Sequence, residues 1–279
     1  MDDEERRRQP RTTSGAGRTA GGIAVTLAVL AAKFKAFLAA ALSFKGIFLG
    51  TKFLLTFGSM FLSIAVYAAL FGGWKIAIVF VLMILVHELG HYLTWRNLGV
   101  QARLPVFIPL LGAFTAAPPT GTPPQNVAAT LAGPAFGIAA AAACWGYGFV
   151  TREPFWYGAA YIGFFLNFFN LIPMPPFDGG RIAQAIDARL WLIGFPLFLA
   201  WLFLFGASGF VVLFIVFAAF SAWPMIRGVW RGTIPPRMPG FTPGQRTATA
   251  IAYFALALAA IAGAAATIHG GHPAGLIRA

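Results

Sequence analysis

The sequence predicts an all-α polytopic membrane protein with about six to seven transmembrane helices. Of the 279 residues, 59% are hydrophobic and only 10% are charged, whereas roughly 25% are charged in an average soluble domain. Several uncharged runs are long enough to cross the hydrocarbon, which takes about 20 apolar residues in a helix. One further uncharged run is too rich in proline for a regular helix and predicts a re-entrant hairpin.

The N-terminal part of the chain precedes these runs. Residues 1–20 are charged and then rich in Gly, Ser and Thr, which is typical of a disordered tail. In residues 21–52, lysines that do not share one helical face interrupt the apolar character, so we interpret this part as a basic interfacial segment. A secretory signal is not indicated, because no small-residue cleavage site follows a single short apolar core.

Charge-free runs predict a transmembrane domain over residues 53–268, followed by a tail at 269–279. The predicted spans are Phe53 to Trp74, Ile76 to Trp95, Asn126 to Phe149, Pro154 to Ile172, two short spans within Leu190 to Ile226, and Thr247 to Ile268. The "GASG" at 206–209 separates the two short spans, because glycine interrupts a helical pattern.

The basic residues predict how the spans are oriented. If residues 21–52 do not cross and the N-terminus is cytoplasmic, every Lys and Arg except Lys75, Arg152 and Arg278 lies on the inner side. The net charge of +12 therefore indicates membrane orientation. Nucleic-acid binding is not indicated, since the basic residues do not cluster with aromatic residues on one face. We expect a multi-pass protein of a bacterial or archaeal cell membrane.

The uncharged stretch 104–125 holds six prolines and short apolar pieces. At membrane depth, such backbone is tolerated only where protein or a water-lined cavity satisfies its polar groups. We interpret Leu104 to Ala116 as a re-entrant hairpin, with an ordinary surface loop as the alternative.

The chemistry is concentrated in "VHELGH" at 86–91, where His87 follows eleven residues without a polar side chain, Ile76 to Val86. On a helix, His87 and His91 project from one face, with Glu88 about 100° around. Two imidazoles at this spacing can chelate one zinc ion, and the glutamate can act as general base. Because ionisable residues inside a span are costly, their presence indicates function.

A catalytic zinc site needs a third protein ligand, and Asp178 is the best candidate. His269 and His272 lie in a Gly-rich tail on the predicted outer side, Glu153 lies in a short outer loop, and Asp187 lies among charged residues. Asp178 instead follows the prolines that end the fourth span. The second and fourth spans run in the same direction, so Asp178 and the histidines are expected at the same inner end.

Three motifs together resemble the site-2 protease family of intramembrane metalloproteases. They are "HELGH", "AGPAFG" at 132–137 and "NLIPMPPFDGG" at 170–180, and the resemblance covers roughly residues 75–182. Within it, Gly133 and Pro134 match a packing motif to which we assign no chemistry. Other members carry a PDZ domain between the third and fourth spans or cystathionine-synthase-type domains at the C-terminus. We expect a compact member without either.

The resemblance implies one Zn²⁺ per chain, held by His87, His91 and Asp178, with Glu88 as general base. It also implies that Asn170 orients the substrate or stabilises the oxyanion. The expected activity is that of a zinc metalloendopeptidase that hydrolyses peptide bonds within or near transmembrane segments of membrane protein substrates.

Two other functions use the same residues. A metal transporter or metal-binding sensor would need the ligands but has no need of Glu88 away from the metal. A pseudoprotease that only binds membrane helices would not need an intact metal site. Transmembrane substrates and the lipid bilayer are the expected partners, nucleic acid is not, and the sequence leaves the oligomeric state open.

Overall fold

The computed structural model describes residues 29, 32, 33, 35, 52–110, 112–115, 121–196, 198, 220 and 222–270. The predicted tail at 1–20, nearly all of the interfacial segment and most of the fifth and sixth spans lie outside these residues. The chain divides into two units, Met1–Leu54 and Leu55–Ala279. The functional residues discussed below all belong to the second unit.

The described part of the chain is mostly helical. Its longer elements are α1 (Lys52–Phe71), α2 (Trp74–Asn97), α3 (Pro123–Thr151), α4 (Pro154–Asn170), α5 (Asp178–Ile186) and α6 (Pro243–Gly270). Residues 191–196 and 222–230 are also helical. The first four predicted spans and the last one therefore coincide with helices.

Local sequence signals account for where these helices begin. Both α3 and α6 begin at the proline of a Thr-Pro-x-Gln sequence. This sequence places a proline in the first turn and a glutamine three residues after the threonine. The backbone N–H of Thr122 donates to Gln125 Oε1 at 2.8 Å, and that of Thr242 donates to Gln245 Oε1 at 3.0 Å. The glutamines thus satisfy backbone donors at both N-termini.

Three helices are long and apolar enough to cross a membrane by length and composition. They are Trp74–Asn97, Pro123–Thr151 and the part Pro243–Ile268 of α6. The apolar part Leu55–Phe71 of α1 is shorter, and α4 has 17 residues. These findings support the membrane-protein class, while the number of crossings stays a prediction.

The proline-rich stretch forms a short antiparallel hairpin. Strand β1 (Val106–Ile108) pairs with β2 (Gly112–Phe114), with Phe107 opposite Ala113. Phe107 is only 2% exposed, and its backbone N–H donates to Ser59 Oγ on α1 at 3.1 Å. The hairpin is therefore anchored in the apolar core, and its re-entry from one side of the membrane stays a prediction.

Glycines allow the helices to approach closely. A Cβ on Gly90 of α2 would lie 2.5 Å from the carbonyl oxygen of Ala132 on α3, and a Cβ on Gly163 of α4 would lie 2.8 Å from Ala141 Cβ on α3. Neither position has room for a larger residue unless the helices separate. Helix α3 therefore packs directly against both α2 and α4.

Helix α5 is held by hydrogen bonds to its neighbours. The indole N–H of Trp191 donates to the carbonyl of Gly180 at 2.7 Å. Arg246 of α6 donates to the carbonyl of Ala185 and, at 3.0 Å, to that of Met238. These contacts fix the short helix that begins at Asp178.

Candidate metal centre

Three side chains from two separate helices meet at one point. His87 and His91 lie one turn apart on α2, and Asp178 is the first residue of α5. The distances between their ligand atoms are 3.0 Å from His87 Nε2 to Asp178 Oδ2, 3.2 Å from His91 Nε2 to Asp178 Oδ2, and 3.1 Å between the two Nε2 atoms. The structure thus brings together the three residues expected to be ligands.

The second nitrogen of each imidazole is held by an acceptor. His87 Nδ1 lies 2.8 Å from Asn167 Oδ1, and His91 Nδ1 lies 2.8 Å from the carbonyl oxygen of Ala129. Because a carbonyl oxygen can only accept, both Nδ1 atoms carry the hydrogen. In the neutral imidazoles, both Nε2 atoms therefore present a lone pair.

Three electron-pair donors that converge in this way repel one another unless a proton or a metal ion lies between them. Around a tetrahedral metal ion with bonds of about 2.0–2.1 Å, neighbouring ligand atoms are about 3.3 Å apart. The observed separations of 3.0–3.2 Å are close to this value. The three side chains fit a metal ion with three protein ligands and one open position.

Glu88 lies beside these ligands. It is 7% exposed, and its carboxylate belongs with the two histidines to a group whose ligand atoms all lie within 4.8 Å of one another. Thr115, just after β2, donates its hydroxyl to the backbone carbonyl of Glu88 at 3.3 Å. The hairpin therefore packs directly against the turn of α2 that carries the glutamate.

The centre opens into a cavity of about 600 Å³. Its wall is formed by the metal-centre residues, by residues 112–115 of the hairpin and by many aromatic side chains, among them Tyr67, Phe71, Phe80, Phe165 and Phe169. A largely apolar cavity with a few polar groups at one end is typical of a binding site for an apolar ligand.

Asn170 lies on the wall of the same cavity. Its side-chain Nδ2 donates to the backbone carbonyl of Leu166 at 3.1 Å. An amide nitrogen has two hydrogens, so this bond leaves the second one for another acceptor. Asn170 is therefore near the metal centre but is not a ligand in this arrangement.

Asn167 is the polar residue that the sequence analysis missed. It is fully buried and contacts His87 directly. The signal was available, because "NFFN" places two amides three residues apart in an apolar span, where a polar side chain is costly. The sequence analysis named only Asn170, because the resemblance to the site-2 protease family includes the asparagine eight residues before Asp178.

The glycines of "AGPAFG" pack against the polar side chains of the centre. A Cβ on Gly133 would lie 2.2 Å from His91 Cε1, and a Cβ on Gly137 would lie 2.3 Å from both terminal atoms of the Asn167 amide. The motif has the packing role expected of it, and it packs against the candidate ligand His91 and against Asn167, which contacts the candidate ligand His87.

The other ionisable candidates lie elsewhere. Asp187 forms a long ion pair with Arg237 at 3.7 Å and accepts from the backbone N–H of Arg189. Glu153 precedes the first turn of α4 and is exposed. The side chains of His269 and His272 lie outside the described residues.

Comparison with known protein families decides what this region is. Residues 75–154 and 149–191 match the model of peptidase family M50. The region from residue 75 to 191 is a peptidase family M50 domain, that of the site-2 proteases. No curated protein matches the chain. The M50 region contains the two histidines, Glu88, Asp178 and both asparagines, so the resemblance drawn from the sequence motifs is confirmed.

Proposed function

We propose that the M50 region is an intramembrane zinc endopeptidase that cleaves peptide bonds within or near transmembrane segments of membrane proteins. The observation that carries the proposal is the convergence of three ligand atoms beside a buried glutamate at the end of an apolar cavity. The family match supports a metallopeptidase.

His87, His91 and Asp178 would hold the zinc ion. When bound, zinc lowers the pKa of water to about 7 and polarises a carbonyl group. Glu88 accepts the proton of the attacking water and then donates it to the leaving amine. Burial of Glu88 beside the ligands keeps this proton close to the reacting atoms.

Asn170 is the candidate donor to the oxyanion. Its amide lies on the cavity wall, and one hydrogen remains after the bond to Leu166. A side-chain donor in such a position can contribute roughly 3 kcal/mol to the stability of the transition state.

The edge of β2 that faces away from β1 is the candidate surface for holding the substrate. The N–H of Phe107 points away from β2, since it donates to Ser59, so Phe107 and Ala113 form a non-hydrogen-bonded pair. The N–H and C=O of Ala113 therefore point to the other edge of the hairpin. Ala113 also lines the cavity.

An unwound substrate segment could extend the hairpin by one strand at this edge. A transmembrane helix hides its carbonyls in hydrogen bonds, and an extended conformation would expose one of them to Glu88. Because Thr115 touches the backbone of Glu88, a strand bound along β2 would pass beside the metal centre.

The decisive test separates the two carboxylates. Purified Glu88→Gln should keep about one zinc per chain and lose cleavage of a single-span model substrate, because glutamine cannot accept the proton. Asp178→Ala should lose zinc and activity together, because only two ligands remain. Asp187→Asn, which removes a carboxylate outside the cavity, is the matched control and should behave as the wild type.

Zinc per chain and cleavage should be measured on the same detergent preparations. If Asp178→Ala keeps full zinc while Glu88→Gln loses it, the assignment of ligand and base is wrong. If Glu88→Gln cleaves as fast as the wild type, the protein uses another base or is not a peptidase. A metal transporter would keep its metal flux in Glu88→Gln.

A further inference from the structure

We propose that Asn167 is a positioning residue for the metal centre, which holds the His87 ring in the tautomer and orientation that direct Nε2 toward the metal. The inference rests on the proposed metal-dependent function, because it concerns a ligand of that metal. Asn167 lies outside the three sequence motifs, so the motifs assign it no role at the metal centre.

The first argument is the hydrogen-bond pattern around the Asn167 amide. Nδ2 of Asn167 donates to the backbone carbonyl of Gly163 at 2.7 Å. Since that carbonyl can only accept, the other end of the amide, Oδ1, faces His87 at 2.8 Å from Nδ1. Both ends of the amide therefore have a defined partner, and the His87 ring must carry its hydrogen on Nδ1.

The second argument is the space around the amide. Asn167 is fully buried, and a Cβ on Gly137 would lie 2.3 Å from both its Oδ1 and its Nδ2. The backbone of α3 thus closes over the amide on one side, and the carbonyl of Gly163 fixes it within α4. The acceptor for His87 is held rigidly by two helices.

The third argument is the parallel with His91. The Nδ1 of His91 donates to the backbone carbonyl of Ala129, an acceptor that no substitution removes. Asn167 supplies the equivalent acceptor for His87 with a side chain. One ligand is therefore oriented by the backbone of α3 and the other by a side chain of α4.

Loss of the Asn167 acceptor has a defined consequence for His87. The imidazole would be free to carry its hydrogen on Nε2 instead, and in that form it cannot bind a metal through Nε2. The ring would also lose a contact that fixes its rotation. Removal of such an outer partner of a metal-bound histidine typically lowers metal affinity 10–100-fold.

The test measures metal affinity of the full chain in detergent, by competition between the protein and a chelator for Zn²⁺. Asn167→Leu keeps the size of the side chain but removes the acceptor, and we expect a 10–100-fold higher dissociation constant. Asn167→Asp keeps an acceptor for Nδ1 but loses the donor to the Gly163 carbonyl, so it should bind Zn²⁺ more tightly than Asn167→Leu and less tightly than the wild type. The visible spectrum of the Co²⁺-loaded protein should change more in Asn167→Leu than in Asn167→Asp.

Two glycines on α3 provide a second test that leaves Asn167 itself unchanged. Gly137→Ala pushes a methyl group into the amide and should weaken Zn²⁺ binding as Asn167→Leu does. Gly146→Ala is the matched control, because a Cβ there meets no atom within 4 Å. If Asn167→Leu does not yield folded protein, this pair carries the test.

The outcomes separate this inference from the proposed function. If the wild type binds neither Zn²⁺ nor Co²⁺ at the centre, the proposed function fails. If the wild type binds metal and Asn167→Leu and Gly137→Ala bind it equally well, the positioning role is refuted. The positioning role is also refuted if Asn167→Asp binds Zn²⁺ no more tightly than Asn167→Leu while Gly137→Ala binds it as the wild type does.

Discussion

Gly133→Ala is expected to disrupt the metal centre although Gly133 has no side chain and no ligand atom. The added Cβ would lie 2.2 Å from Cε1, 2.3 Å from Nε2 and 2.8 Å from Nδ1 of His91. Non-bonded atoms prefer separations of about 3.5–4.0 Å. Either the imidazole or the whole of α3 must therefore move by about 1 Å.

Movement of α3 does not relieve the clash without further cost. The carbonyl oxygen of Ala132, the residue before Gly133 on α3, would lie only 2.5 Å from a Cβ on Gly90 of α2. Helices α2 and α3 are therefore already in close contact. A shift of α3 would also move Ala129, whose carbonyl accepts from His91. Since movement of a whole helix also disturbs its other contacts, we expect the imidazole to move.

A shift of this size is large for a metal ligand. Ligand distances in metal sites agree with their preferred values to about 0.2 Å, so a displacement of about 1 Å removes His91 from coordination. With two of three ligands left, we expect zinc affinity to fall by at least the roughly 10–100-fold seen for loss of an outer partner, and cleavage to fall with it.

The assay is zinc affinity by chelator competition, measured beside cleavage of a single-span substrate. Gly146→Ala, on the same helix but in open space, is the control and should match the wild type in both. Wild-type zinc affinity in Gly133→Ala would refute the reasoning. That result would mean that the helices can separate at little cost.

Two further predictions concern the hairpin and the topology. Ala113→Pro removes the outward N–H of β2 and should lower cleavage about 5–150-fold, the effect of losing a hydrogen bond worth about 1–3 kcal/mol, while the zinc content stays unchanged. Ala113→Ser keeps the N–H and is the control. If the proline variant loses zinc to the same extent as it loses cleavage, a role of β2 in substrate binding is contradicted. Cysteine labelling at Ser14 and Ala274, in a chain with Cys144 replaced, should place Ser14 on the cytoplasmic side and Ala274 on the outer side, and labelling of both from one side would contradict a seven-span topology.

The helices were predictable because their signals are local. Runs without charge predict the first four spans and the last one, and prolines mark where some of them begin or end. Both signals can be read from residues next to one another in the sequence. The pairing of His87 with His91 is local in the same sense, since a helix brings residues four apart to one face. Asp178 needed an argument from topology, which the close approach of the three ligand atoms supports.

The hairpin was predictable only in part. Six prolines argued against a helix over 104–125, although α3 begins at Pro123. They did not decide which residues would pair. Phe107, which lies opposite Ala113, also donates to Ser59, 48 residues earlier in the chain. A contact of that separation leaves no periodic signal in the sequence.

The sequence by itself determined the class of protein, the helices and the residue types that bind metal, because hydrophobic runs and helical spacing are properties of short segments. Only the tertiary structure decided which of two asparagines contacts His87. Asn167 and Asn170 lie on the same helix, three residues apart. The packing of α4 against α3, where Gly137 leaves room for an amide, turns Asn167 toward the histidine and Asn170 toward the cavity.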